Sequence, residues 1–240
     1  MSTSESNPVT LPDLHSEPKW LAFDAYVFDI DGTLLNSRDL VHYRAFQGAL
    51  KDVFQCERDI TEVPVHGNTD IGILRATTQL SGVSEGRFNE LLPEALRQMR
   101  KSVHETRDGF RAEVCPSIVA VLETLKARGK VVGVATGNLE AIGWRKLEAA
   151  QLKQYFNFGS FSDRHEHRSE IFLAAIEESR RRLGPHASVC FVGDTPNDIR
   201  AAKANQCPVI AVATGIYPFS ELESLGPDFC LRCCDDLFTA

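Results

Sequence analysis

Three short polar segments of the chain carry residue types that can do chemistry together. They are Asp29-Ile-Asp31-Gly-Thr33, Thr136-Gly137-Asn138 and Gly193-Asp194-Thr-Pro-Asn-Asp198. If they meet, four carboxylates share one place with hydroxyl and amide groups. Carboxylates packed together repel, and some take up protons unless a cation neutralises them. A hard cation with oxygen ligands is the natural solution. Mg²⁺ takes one or two protein carboxylates, keeps several waters and binds a substrate phosphate. A carboxylate can also act as a nucleophile and form an aspartyl phosphate. A second carboxyl beside it can serve as general acid and then as general base. Asp29 and Asp31 are two residues apart, and Gly32 lets the chain turn so that both reach one site.

Each polar segment ends a short apolar run, and these runs are the elements that must position it. Ala25–Phe28 leads into Asp29, Val131–Ala135 into Thr136, and Ser188–Val192 into Gly193-Asp194. A fourth run, Val209–Ala213, leads into Thr214-Gly215. Such runs of β-prone residues, bounded by Gly and polar residues, fit buried parallel strands. Helical spacing lies between them. Ile118, Val121, Leu122 and Leu125 form one face, stopped by Gly129. Ile142, Leu147 and Ala150 form a second, and Ile171, Phe172, Ala175 and Ile176 a third that ends near Gly184-Pro185. Strand, helix, strand at this spacing means βαβ units and a parallel sheet. Parallel strands all point the same way, so their carboxyl ends bring the polar segments to one rim, where such sheets bind ligands.

Between the first strand and the helix after Ser117 the rhythm breaks. Phe46, Ala49, Leu50 and Val53 form a helical face; Ile71 and Leu74 follow a start signal at Asn68-Thr69-Asp70; Leu91, Leu92, Ala95, Leu96 and Met99 form another face. The expected fold is therefore α/β: a Rossmann-like parallel sheet core with helices on both faces and a helical cap inserted after the first strand. The expected organisation is a disordered N-terminal extension over residues 1–18, a core from 19–37 and 107–240, and the cap over 38–106.

Composition narrows the function classes. The 240 residues hold 33 acidic and 26 basic side chains, a net charge of −7, which argues against a general nucleic-acid binder. No run approaches the roughly 20 apolar residues of a membrane span. Seven cysteines at irregular spacing make a poor disulfide framework, so free thiols and a cytoplasmic location are expected. The tail Cys230-Leu-Arg-Cys233-Cys234 has no second Cys/His pair at zinc spacing and reads as a final strand, Asp228–Leu231. Residues 1–18 are rich in Ser, Thr, Pro, Asn and Glu and have neither the apolar stretch of a secretory signal nor an Arg-rich amphipathic character.

Phe28-Asp-Ile-Asp-Gly-Thr-Leu-Leu35 resembles the first motif of the haloacid-dehalogenase-like hydrolase superfamily. Val134-Ala-Thr-Gly-Asn138 resembles its second motif and Phe191-Val-Gly-Asp-Thr-Pro-Asn-Asp198 its fourth, in the expected order. The resemblance is greatest to the phosphoglycolate-phosphatase-like branch, whose helical cap lies between motifs one and two. It implies that Asp29 is the nucleophile and Asp31 the acid and base. It implies that Thr136, with the N–H groups of Gly137 and Asn138, holds phosphate oxygens at a helix start. It also implies a Mg²⁺ site made by Asp29, the main-chain carbonyl of Asp31, Asp194 and Asp198, the last as a ligand or a holder of its waters.

The third motif departs from the pattern. The family places a Lys, or sometimes Arg, at a helix start there; this chain has Ser162-Asp-Arg-His-Glu-His-Arg-Ser-Glu-Ile-Phe172. Arg168, directly before the expected helix, is the candidate phosphate partner, with Arg164 second. His165 and His167 read as a solvated loop, and Lys146 as a surface residue. Asp198 and the stretch His66-Gly-Asn-Thr-Asp70 each have a second reading as an ordinary helix start, with Thr69 or Asn68 capping the latter. The expected function is a Mg-dependent phosphatase that hydrolyses a small phosphorylated metabolite through an aspartyl-phosphate intermediate. It would act as a monomer or homodimer, without nucleic acid or membrane. A phosphosugar mutase and a non-catalytic phosphate-binding relative are the alternatives. A dehalogenase is disfavoured because those relatives do not keep the second Asp, which here is Asp31.

Overall fold

The strand that carries the first aspartate pair, β1 (Ala25–Phe28), is buried along its whole length. The computed structural model describes residues 18–238, so the expected N-terminal extension lies, but for Pro18, outside the described residues. After β1 come β2 (Leu35–Ser37), α1 (Val41–Asp52), α2 (Asp70–Leu80), α3 (Glu85–Glu105) and β3 (Ala112–Val114). The chain continues with α4 (Ile118–Ala127), β4 (Val131–Ala135), α5 (Glu140–Ala149), β5 (Phe158–Ser160) and α6 (Arg168–Leu183). It ends with β6 (Val189–Gly193), α7 (Pro196–Ala204), β7 (Val209–Val212), α8 (Phe219–Ser224) and β8 (Phe229–Leu231).

Six strands form one parallel sheet in the order β5-β4-β1-β6-β7-β8. The chain runs outward from β1 through β4 to β5 and then returns to the other side of β1. Both faces of the sheet are covered, which is why its strands read as unbroken apolar runs. Successive side chains alternate between the faces. Tyr26, Phe28, Val132, Val134, Cys190 and Val192 pack with Ile118, Leu122 and Leu125 of α4 and Leu147 of α5. Ala25, Val27, Val189 and Phe191 pack on the opposite face with Ile171, Phe172 and Ala175 of α6 and Ile199 of α7.

The helices α1, α2 and α3 bury a separate apolar cluster built on Phe46, Leu50, Ile71, Leu74, Phe88 and Met99, which extends to Leu139 and Ile142 next to and in α5. Thr69 caps α2 by accepting the Gly72 N–H, and Ser84 caps α3 by accepting the Arg87 N–H. Polar ties hold these helices to the loop before α6. The Arg75 guanidinium grips the Glu166 carboxylate at 2.5 and 2.7 Å, and the Thr69 hydroxyl donates to the Glu166 carbonyl at 2.7 Å. Arg100 donates to Asp163 at 2.7 Å.

Three strands escape the hydrophobic pattern. β2 and β3 pair antiparallel, Leu35 opposite Val114, and clamp the chain where it enters and leaves the helical segment. β5 extends the main sheet beside β4. Each spans three residues, too few for either an alternation or an apolar run to register. The final strand is β8, one residue shorter at its start than expected. Among the described residues no helix is long and apolar enough to cross a membrane.

Phe172 and Phe191 stack at 3.9 Å between ring centres, joining α6 to β6. Phe172→Ala is expected to lower unfolding stability by about 3–5 kcal/mol, because both transfer and cavity costs apply at a closed site. Urea denaturation measures this, and a loss below about 1 kcal/mol, the usual cost of an average substitution, would refute the stacking as a principal joint.

Candidate active site

Asp29 directly follows β1, and its N–H donates to Val192 of the neighbouring strand at 2.9 Å. Asp194 directly follows β6, and Asp198 lies in the first turn of α7. These three carboxylates are at most 5% exposed, and one oxygen from each lies within 4.8 Å of the others. Among the described residues they form the one group of three acidic, His or Cys side chains gathered closely enough to share an ion.

Local geometry fixes each acid. Thr33 donates its hydroxyl to Asp194 at 3.0 Å. Gly32 turns the chain with φ +84°, and a Cβ there would lie 2.2 Å from an Asp194 oxygen. Only glycine meets both demands. Asp198 accepts the N–H and hydroxyl of Thr195 at 3.0 and 2.7 Å, closing the capping box of α7. Asp198 thus belongs both to the helix start and to the carboxylate cluster. One of its oxygens caps the helix, while the other meets Arg168.

Arg168 is the first residue of α6 and is 8% exposed. Its Nε donates to Asp198 Oδ1 at 2.6 Å, and its Nη2 lies 2.7 Å from Asp29 and 2.5 Å from Asp198. One guanidinium therefore contacts two of the three carboxylates, and its charge acts on Asp194 as well. Burial pushes the Asp29 carboxyl up; Arg168 pulls it down while Asp198 and Asp31 push it up again, leaving it at about 6. Burial, with Asp29 and Asp198 beside it, pushes Asp194 well above the usual range. Burial opposes the charge of Arg168, but Asp198 and Asp29 outweigh it and hold the guanidinium above its ordinary value.

Asp31 stands apart from this cluster. Its carboxylate receives Lys146 Nζ at 2.8 and 2.7 Å and Asn138 Nδ2 at 2.8 Å. Lys146 also donates to Asn138 Oδ1 at 2.9 Å, and Asn138 donates to Thr136 Oγ1 at 2.7 Å. Burial would raise the Asp31 carboxyl, but Lys146 and Asn138 outweigh it and hold it below the ordinary value. Two carboxylates separated by one residue are thus pushed in opposite directions.

The surface expectation for Lys146 fails: the residue is 3% exposed. The signal was present, since Leu139, Ile142 and Lys146 recur at spacings of three and four, the buried face of α5. Arg168 meets the carboxylate cluster and lines the cavity beside it, whereas Arg164 does not line that cavity. Asp29, Asp31, Thr136, Gly137, Asn138, Arg168 and Asp194 all line one cavity of about 350 Å³, with Asp198 behind it. The stretch from His66 to Asp70 does double duty. Thr69 caps α2, while His66, Gly67, Asn68 and Asp70 line the same cavity. Asp70 itself bridges the two halves: its N–H donates to the Gly137 carbonyl, and its carboxylate accepts the Leu139 N–H, both at 2.8 Å. The pattern of the sequence alone does not announce that joint.

Comparison with known proteins places this parallel sheet, with paired aspartates at the end of its central strand, in a class of hydrolases. The family model described as haloacid dehalogenase-like hydrolase matches residues 26–212. The phosphoglycolate phosphatase of Escherichia coli strain K12 is 30% identical over 244 residues, covering 89% of this chain and 90% of its own. The probable phosphatase IndB of Dickeya dadantii strain 3937 is 30% identical over 215 residues, covering 84% and 86%. The crystal structure of beta-phosphoglucomutase from Clostridium difficile superposes with a TM-score of 0.62 over 90% of this chain and 93% of that one; at 16% identity the likeness is one of fold. The chain belongs to the haloacid dehalogenase-like hydrolase family, as an enzyme of its phosphatase kind.

The raised Asp29 carboxyl makes stability depend on pH. Below the ordinary value of 3.8 both folded and unfolded chains carry the proton. As pH rises to about 6 the unfolded chain has released it, and the folded chain must then ionise a buried acid. Stability from this group is therefore present in acid and lost as pH rises through about 6. In metal-free buffer the wild type is expected to lose more stability than Asp29→Asn between about pH 4 and pH 7. Urea midpoints across that range measure it, and parallel profiles would contradict the assignment.

Proposed function

We propose that the chain hydrolyses a small phosphorylated metabolite with Mg²⁺, through an aspartyl-phosphate intermediate. The observation that carries this reading is one cavity lined by Asp29, Asp31 and the Thr136–Asn138 segment, with three clustered carboxylates and the Arg168 guanidinium at its base. An oxygen of Asp29 attacks phosphorus and the bond from phosphorus to the leaving oxygen breaks. Asp31, which must first take up a proton against the pull of Lys146, gives it to that oxygen. Its side chain is 42% exposed, so it can exchange the proton with solvent. Asp31 then takes a proton from water, the water oxygen attacks the phosphorus of the aspartyl phosphate, and inorganic phosphate leaves with Asp29 restored.

Thr136 and the N–H groups of Gly137 and Asn138 hold the phosphate oxygens next to the start of α5. Arg168 offsets their charge; its planar fork can meet two oxygens through two parallel N–H bonds. The three buried acids fit a hard divalent cation. All their donors are oxygens, and a single guanidinium leaves them short of positive charge. Asp29, the main-chain carbonyl of Asp31, Asp194 and Asp198 would hold Mg²⁺. When bound, the ion supplies Lewis-acid charge against the phosphoryl oxygens.

In this reading residues 38–106 act as a cap over a core formed by 19–37 and 107–240, and the cap keeps bulk water from the intermediate. The Asp70 joint between the cap and the segment after β4 supports it.

Phosphate release from a panel of phosphomonoesters is expected with Mg²⁺ and is expected to vanish with EDTA. Asp29→Asn removes the nucleophile and should abolish turnover, while Asp31→Asn should lower kcat by about 10²–10⁴-fold. No release from any ester, or full activity of Asp29→Asn, overturns the proposal. An isomeric sugar phosphate formed without free phosphate would identify a mutase instead.

A further inference from the structure

We infer that the leaving group of the substrate is a neutral alcohol with an apolar face, and that phosphorylated hydroxy acids are poor substrates. The inference rests on the phosphatase reading above and concerns the part of the same cavity lined by α1, α2 and the loop between them.

The charges around the cavity decide the first half. Asp29, Asp31, Asp39, Asp70 and Asp194 line it, against Lys146 and Arg168. Both cations are engaged. Lys146 is bound to Asp31 and Asn138, and Arg168 to Asp29 and Asp198. Among the described residues that line the cavity, no other lysine or arginine is present to meet a second anion. His42 Nε2 lies 3.2 Å from Asp70 Oδ2, so this imidazole faces an acid already. Arg168 and the divalent cation are needed for the phosphoryl group and the acids that flank it. A carboxylate on the leaving group would find no lysine or arginine on the α1 and α2 side, where Asp39 and Asp70 carry the same charge, and misplaced like charges select strongly against a ligand.

The wall itself decides the second half. Tyr43, Phe46, Ile60, Val65 and Ile73 contribute apolar surface. Tyr43 spends its hydroxyl on Asp59, which leaves its ring to the cavity. His42 stacks on Phe46 with ring centres 4.8 Å apart. Asn68 and His66 offer hydrogen-bonding groups beside this wall. A volume of about 350 Å³ is at the lower end for ligand pockets, which favours a small ester over a nucleotide or a phosphoprotein.

Two matched pairs of esters, assayed with Mg²⁺ on the full chain, test the inference. Phosphoglycolate and its amide differ chiefly in the charge of the leaving group. The amide is expected to have a kcat/KM at least about tenfold higher. Benzyl phosphate and methyl phosphate differ in apolar surface, and benzyl phosphate is expected to show a KM about tenfold lower or less. Val65→Lys, at a half-buried position of the wall, is expected to move the ratio of amide to acid about tenfold towards the acid, through KM. Equal or better turnover of the acid by the wild type overturns the neutral leaving group, and an unchanged ratio in folded Val65→Lys overturns charge as its cause. Benzyl phosphate no better than methyl phosphate overturns the apolar face. If Val65→Lys does not fold, the wild-type pairs still decide. Folded wild type that turns over none of the four esters, nor any ester of the wider panel, would instead refute the phosphatase reading, and the inference with it.

Discussion

Asp29, Asp194 and Asp198 lie almost buried around one guanidinium that contacts two of them, and much of the surrounding structure keeps them there. Buried like charges drive a site apart unless each is pinned and partly neutralised. The pinning is distributed. Parallel strands bring Asp29 and Asp194 to one edge, Thr33 holds Asp194, and Thr195 locks Asp198 into the first turn of α7. Glycines at 32 and 215 leave the room that the Asp194 carboxylate takes, since a Cβ at either would lie within 2.2 Å of it. The counter-charge comes from Arg168, whose helix is anchored by the Phe172–Phe191 stack below it. Burial first, and the neighbouring acids second, leave the carboxyls of Asp29 and Asp194 raised.

The second aspartate shows how one local environment yields two chemical characters. Asp31 lies only two positions from Asp29, yet its carboxylate meets Lys146 and Asn138 rather than Arg168. Each acid thus has its own cation. The helical segment closes over this pair through few but specific contacts. The carbonyl of Asn68 would lie 2.2 Å from a Cβ at residue 137, so the approach of α2 to the segment after β4 depends on Gly137. Gly67 offers its carbonyl to Asn197 at 2.9 Å, which ties the same loop to α7. The cavity is therefore walled by elements from both halves, and its character follows from both: acids and their cations on the sheet side, rings and aliphatic groups on the helical side.

Much of the architecture was legible in the residue pattern. The strands β1 and β4 coincide with the apolar runs 25–28 and 131–135, and α5 and α6 fall where helical spacing put them. Such runs are legible because a strand buried on both faces has no polar alternation to confuse the signal. The insert of three helices was visible for the opposite reason, since an amphipathic face repeats over several turns. β2, β3 and β5 left no trace because three residues carry too little periodicity, and their pairing partners are either far away in the chain or fixed by the neighbouring strand.

The sequence by itself determined that Asp29, Thr136 and Asp194 meet, because strands of one direction in one sheet must end on one rim. It also marked Arg168, the first residue of an amphipathic helix, as the cation available in place of a lysine. Tertiary structure alone decided how charge is shared. It brought Lys146 from the buried face of α5 to Asp31, and it separated Asp31 from Asp29. It also placed Asp70 across the joint and turned Tyr43, Phe46 and Ile73 towards the acids. These outcomes depend on distances between groups far apart in the chain. Electrostatic interaction and desolvation follow those distances and the surrounding burial, neither of which is written in local spacing.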